Sequence, residues 1–189
     1  MITYPATPVL LDAFMVEFNQ KIAAALPWLV NTLGKVQGIT ANIGGQRIKT
    51  PRMFVAGKEY NIEVYPNDKI TNYSWFVFGN YASNTNIRRR ATLRVPATFN
   101  MFLDLRKIYP LVSESRDLEN VKIEVLNALA NMGLKSAAFT VSGISEQYED
   151  VYSGFSLAST QDKFFMQPYA GLSFSLDLFV NTQTACAES

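Results

Sequence analysis

The chain of 189 residues contains no histidine. That absence removes the commonest general base, the usual zinc ligand and every nucleophilic triad built on imidazole. Charge is scarce as well. Only 17% of the residues are charged, against about 25% in an ordinary soluble domain. The 17 basic and 16 acidic residues leave a net charge of +1, so no global field draws the protein toward nucleic acid. Cysteine occurs once, at Cys186 in the polar tail 181–189, where it has no partner for an internal disulfide and no imidazole to activate it. The uncharged stretch Ile22–Gly34 is 13 residues long and is interrupted by Pro27, short of the roughly 20 residues that cross a bilayer. The opening Met1-Ile2-Thr3-Tyr4-Pro5 has neither the basic start nor the apolar run of a signal peptide. The expectation is a soluble protein of a reducing compartment, without a membrane segment or a cofactor.

Uncharged polar residues fill the gap: Asn, Gln, Ser and Thr together number 47, and 13% of the chain is aromatic. A surface of amides, hydroxyls and rings suits lasting contact with other protein. The length fits one domain, 1–189, since one core serves chains up to about 250 residues.

The first element reads as a helix over 8–33. Thr7 can cap it and Pro8 fits its first position. Leu10, Phe14, Phe18, Ile22 and Leu26 recur every four residues. Pro27 kinks or ends this helix, with Trp28–Leu33 as a continuation and Gly34 as a stop. Strands and hairpins follow over 39–109. Gly44-Gly45 joins Ile39–Ile43 to Gln46–Lys49, and Ala56-Gly57-Lys58 joins Arg52–Val55 to Glu59–Tyr65. Tyr73–Phe78 is apolar on both faces. From Ala91 to Leu105 every odd residue is apolar, a period-2 strand in which Pro96 implies an edge or a bulge. A second amphipathic helix spans 116–132, with Leu118, Val121, Val125, Leu129 and Met132 on one face. Strand signals return over 137–180. This order predicts an α+β domain, a mainly antiparallel sheet with two principal amphipathic helices packed on one face. The strand faces carrying Arg94, Thr98, Asn100, Ser173, Ser175 and Asp177 would be left for solvent or a neighbour.

Motifs for chemistry are sparse. The glycines at 44–45 and 57 lack the spacing of a phosphate loop and read as turns. Asp104 and Asp177, on the polar faces of two strands, are the pair through which a histidine-independent carbohydrate-active enzyme or sugar-binding module would work. Glu146, Glu149 and Asp150 are hard oxygen ligands without the spacing of a calcium loop. Charge placement is more informative. Residues 86–107 hold Arg88, Arg89, Arg90, Arg94, Arg106 and Lys107 against Asp104 alone, a local excess of +5. Residues 145–162 hold Glu146, Glu149, Asp150 and Asp162 with no basic residue, −4. Such segregation in a near-neutral chain presents complementary surfaces to copies of itself, as a head-to-tail interface requires. Arg88–Arg90 also fit a solvated loop, or contact with DNA phosphates. Tyr148 and Tyr152 in the loop 145–161 are residues of the kind enriched at interfaces.

The segment Ala91–Tyr109 leading into Asp117–Met132, and Val151-Tyr152 with a polar loop leading through Gln167-Pro168-Tyr169 to Leu172–Val180, resemble the tail-terminator, tail-completion and neck-ring proteins of tailed bacteriophages. The resemblance implies a tail-terminator-like fold and a non-enzymatic ring subunit at the portal-to-tail junction of a virion, assembled in the host cytoplasm. Its implied partners are further copies of itself, adjacent portal, neck or tail-tube proteins, and DNA in the channel. Arg88, Arg89, Arg90, Arg94, Glu146, Tyr148, Glu149, Asp150 and Tyr152 would then lie at subunit interfaces or along the channel. The hairpin Ile39–Lys49 would be an extension that grips a neighbour.

Overall fold

The structure, a computed structural model, describes residues 10–43, 45–55, 59–66, 69–80, 82–84, 92–110, 118–158 and 160–181. Helix α1 (Leu11–Ala25) forms where the four-residue apolar repeat begins, with Asp12 in its first turn. Phe14, Phe18 and Ile22 on its stripe are fully buried. The helix stops before Pro27, and the residues expected to continue it, 31–33, open strand β1 (Asn31–Ile43) instead. Proline ends the helix because it cannot donate to the preceding turn, and the chain after it joins the sheet. The Thr7 cap and Pro8 lie outside the described residues.

Strands β2 (Gln46–Val55), β3 (Glu59–Glu63) and β4 (Tyr73–Phe78) follow, then the short β5 (Ala82–Asn84) and the long β6 (Thr92–Asp104). Helices α2 (Leu105–Ile108) and α3 (Leu118–Ala130) precede β7 (Ala137–Ser145), α4 (Tyr148–Val151), a 3₁₀ turn at Asp162–Phe165 and the last strand, β8 (Tyr169–Asn181). Six strands, β1, β4, β5, β6, β8 and β7, make the main sheet. The β2–β3 extension adds two more, in the order β3-β2-β1-β4-β6-β8-β7, with β5 pairing β6 past the end of β4. Every pairing is antiparallel except β1 with β4. The fold is mixed, with four α-helices beside this sheet.

Strand β6 is central, not an edge, although it contains Pro96. Its β8 neighbour pairs along its whole length. On the other side β4 ends opposite Ala97 and β5 begins opposite Arg94. The Pro96 carbonyl, which points into that gap, accepts from Gly79 N–H at 2.8 Å. In a strand the nitrogen of the same residue points the same way, so the missing donor faces Gly79, just past the end of β4, where the ladder has already stopped.

Alternation in β6 and β8 separates two cores. On one face Val95, Phe99, Met101 and Leu103 of β6 and Leu172, Phe174, Leu176 and Leu178 of β8 form one cluster with α1 residues Phe14, Phe18 and Ile22 and with Val121, Val125 and Leu129 of α3. Phe18 lies 4.9 Å from Phe99 and 5.0 Å from Phe76, ring centre to ring centre, in edge-on geometry. On the opposite face Tyr73 and Trp75 of β4 and Phe102 of β6 meet Val36 and Met53 of β1 and β2, and Val151, Tyr152 and Phe164 from the segment between β7 and β8. That segment, read from the sequence as an exposed polar loop, is the cover of a second core.

Candidate functional site

The uncovered part of the sheet's second face begins where this cover ends. Arg94 on β6 reaches diagonally to Asp177 on β8 and donates from Nε and Nη2 to the two carboxylate oxygens, at 3.0 and 2.9 Å. The fork geometry matches both oxygens, and the carboxylate raises the guanidinium's already high pKa further. Beside this pair a cavity of about 330 Å³ lies between the strands and α4, with Thr98, Asn100, Ser142, Asp150, Ser153 and Ser175 among its walls. Asn100 is 1% exposed; its amide donates to Thr98 Oγ1 at 3.1 Å while its Oδ1 has no partner. Asp150 is held in turn by the Ser145 hydroxyl. The wall of this polar cleft is thus only partly engaged with neighbouring groups, and Asn100 Oδ1 is left without a partner. Asn100 and Ser173, expected on an open face, are buried.

The structure distributes the sequence's other candidates widely. Arg88, Arg89 and Arg90 lie outside the described residues. Glu146 is exposed and pairs with Lys122 of α3, which also reaches Glu119 at 2.7 Å. Both carboxylates hold the Lys122 ammonium above its ordinary pKa. Glu149 is exposed at the start of α4. Of the two tyrosines expected at an interface, Tyr148 is half-buried and Tyr152 is buried. Tyr148 sets its ring edge against Phe165 at 5.0 Å, and burial pushes its phenol upward. Tyr152 is 1% exposed within the second core. The helical turn of α4 is what turns these rings inward, because it sits directly on β8.

Nor do Asp104 and Asp177 form a pair. Asp177 stands opposite Pro96 and Asp104 opposite Tyr169. Eight residues of extended chain separate them, about 25 Å, whereas paired carboxylates of a glycosidase stand within about 10 Å. Asp104 is instead structural: it caps α2 through Arg106 N–H and takes Arg106 Nε and Nη2 at 2.8 Å each. Burial works to raise its pKa, but the Arg106 hydrogen bonds and charge win and hold it below the ordinary value. Among the described residues no group of three acidic or cysteine side chains is placed to hold a metal ion. No helix among them is long and apolar enough to cross a membrane.

What the sequence reading passed over is the surface beyond both ends of the main sheet. Between Asn31 and Val55 the chain carries Lys35, Arg47, Lys49 and Arg52 and no acidic residue. These residues lie on the β1–β2 ribbon, which leaves the sheet after β1 parts from β4 at Lys35. Arg52 is matched by Glu63 of β3 at 2.7 Å. Lys49 lies over the Phe155 ring at 5.8 Å, and among the described residues no carboxylate pairs with Lys35, Arg47 or Lys49. At the opposite edge β7 runs into Glu146, and the segment that carries Glu149 and Asp150 then crosses the sheet's second face to meet the ribbon, where the Lys49 carbonyl accepts from Ser156 N–H at 3.0 Å. The signal was present in the charges of residues 31–55, but only the fold shows which of them keep no carboxylate partner.

No family model matches the chain, and no curated protein matches it.

Proposed function

We propose that the protein is a self-assembling structural subunit, non-enzymatic, forming a homo-oligomeric ring in the neck or tail of a tailed bacteriophage. One observation carries the reading: on the β1–β2 ribbon, which runs on past its pairing with β4, Lys35, Arg47 and Lys49 have no carboxylate partner among the described residues, while Glu149 is exposed on α4. Unmatched charges of opposite sign on separate parts of a subunit's surface favour head-to-tail contact, and head-to-tail contact closes into rings when the rotation between copies permits. The two cores, one on each face of the central strands, support this role by making a stiff scaffold without help from a partner. The tail-terminator-like likeness of the fold belongs to the same proposal. So do a place in the virion after assembly in the host cytoplasm, contact with portal, neck or tail-tube proteins, and a position for Arg88–Arg90 at a subunit boundary or facing channel DNA.

The test is direct. Purified full-length protein at rising concentration forms closed annuli in negative-stain images, and these loosen as salt screens the contact. Joint reversal of Lys35, Arg47 and Lys49 to Glu abolishes the annuli while the circular dichroism spectrum stays that of the parent. A particle that remains monomeric at every concentration in sedimentation overturns the reading.

A further inference from the structure

Sheet edges in soluble proteins are normally blunted by charge, proline or cover, because an unpaired row of N–H and C=O groups is a template for another strand. Two edges here are not blunted. β7 is the last strand of the sheet order; its nine residues, Ala-Ala-Phe-Thr-Val-Ser-Gly-Ile-Ser, hold no charge and no proline, and no described strand pairs with its outer side. Only one bulge, between Val141 and Gly143, interrupts it. Val141 and Ile144 are 37% and 41% exposed there. The second edge is the outer half of β1. Beyond Lys35 it has left β4, so the stretch Val36–Ile43, likewise without charge or proline, has an open side among the described residues. The other strand of the ribbon makes the contrast: on the outer side of β2 the carbonyls of Lys49 and Pro51 already accept from Ser156 and Val64 N–H, and Arg47 and Pro51 further discourage pairing. Ile39, Ala41 and Ile48 share one face of the ribbon, each partly exposed.

We infer that the open edge of β1, residues 36–43, adds as a strand to β7 of a second copy of this chain, so that one sheet runs on into the next. The two edges have nearly equal length, lie at opposite ends of the sheet, and are the uncharged members of their surroundings. The flanks agree in sign: Lys35, Arg47 and Lys49 border the donor edge, while the exposed Glu149 follows the acceptor strand, Glu146 there being already paired with Lys122. The partly exposed Ile39, Ala41 and Ile48 would meet Val141 and Ile144. Because the two edges differ, the contact is heterologous and propagates in one direction. This inference rests on the self-assembly proposed above and specifies the joint through which it occurs.

A complementation experiment tests it. Val141→Lys blocks the β7 edge and Ala41→Lys blocks the β1 edge, each lysine being placed where the side chain is already partly solvated. Each variant alone sediments as a monomer, its self-association weakened about 10-fold or more. Mixed in equal amounts they form a one-to-one dimer and nothing larger, because each supplies the edge the other lacks; misfolded variants cannot do this. In a Cys186→Ser background, Thr40→Cys and Thr140→Cys proteins mixed with a short thiol cross-linker give the 40–140 product. Rings from both lysine variants as from the parent would overturn the edge pairing and leave the ring proposal standing. A 140–140 product alone would replace the inference with a twofold joint. A parent chain that never associates sinks both.

Discussion

The hydroxyls of Tyr73 and Tyr152, 79 positions apart in the chain, share a hydrogen bond of 2.9 Å inside the second core. Tyr73 comes from β4 and Tyr152 from the turn after α4, so this bond ties the crossing segment to the sheet it covers. Burial pushes both phenols well above the ordinary tyrosine range.

Tyr152→Phe leaves the Tyr73 hydroxyl buried without a partner. The expected loss is about 1–3 kcal/mol in urea unfolding. The double variant Tyr73→Phe/Tyr152→Phe is expected to be more stable than the sum of the two single losses predicts, since no orphaned hydroxyl remains. Strict additivity would show that the bond contributes nothing.

Glu17 on α1 fastens that helix to the turn before β7. Its carboxylate accepts from the backbone N–H groups of Lys135 and Ser136 and from the Ser136 hydroxyl, all within 2.9 Å, with Lys21 at 3.5 Å. Burial opposes ionisation, but these donors outweigh it and hold the group at about 2, against an ordinary 4.5. A pKa lower in the folded than in the unfolded chain gives stability that is fully present above pH 4.5 and is lost as the pH falls toward 2. Glu17→Gln is expected to cost on the order of 2 kcal/mol at pH 7. The difference between variant and parent should shrink below pH 4. A constant difference across that range would refute the assignment.

Phe18 touches Phe14, Phe76, Phe99 and Phe139, with ring centres between 4.9 and 5.9 Å. No other described residue of α1 makes so many ring contacts with the sheet. Phe18→Ala should therefore cost about 3–5 kcal/mol, read as a fall in the denaturant midpoint with an unchanged slope. A loss below about 1 kcal/mol would mean that the first core can close over the vacancy.

Gly171 is the place where α4 presses on β8. A Cβ added there would stand 3.0 Å from Val151 Cγ2 and 3.3 Å from the Tyr148 ring. Gly171→Val is predicted to lift α4, with a cost of about 1–3 kcal/mol and faster proteolysis between residues 146 and 168. Unaltered cleavage there would show that the segment can shift without loss.

Much of the sheet is legible in the sequence where burial enforces a period. β4 is found at its observed limits, and the alternation from Ala91 to Leu105 and from Leu172 to Val180 marks β6 and β8, because residues opposite one another must all face the same core. Trp28–Leu33 is apolar enough for either helix or strand; its last three residues open β1, where the parallel partner β4 decides for strand. The second core is the larger omission. Its cover is built from one helical turn and one 3₁₀ turn of four residues each, too short for any period. Its aromatic side chains therefore read as exposed. Of the site residues, charge segregation is visible in one dimension, but which internal partner cancels each charge, as Lys122 does for Glu146, is a property of the fold.

The pairing of β6 with β8 joins thirteen residues to thirteen, each pair separated by 65 to 89 positions along the chain. Contacts that distant require the intervening chain to be closed into a loop before they are rewarded, which slows folding. During synthesis, β6 emerges well before its principal partner, and for that interval its apolar row has only β4 and β5 beside it. The nascent chain is thus exposed to wrong pairings at the stage when the sheet's middle is unfinished. Timing of translation over residues 105–168, more than stability of the finished molecule, would then govern how much of the protein is recovered in soluble form.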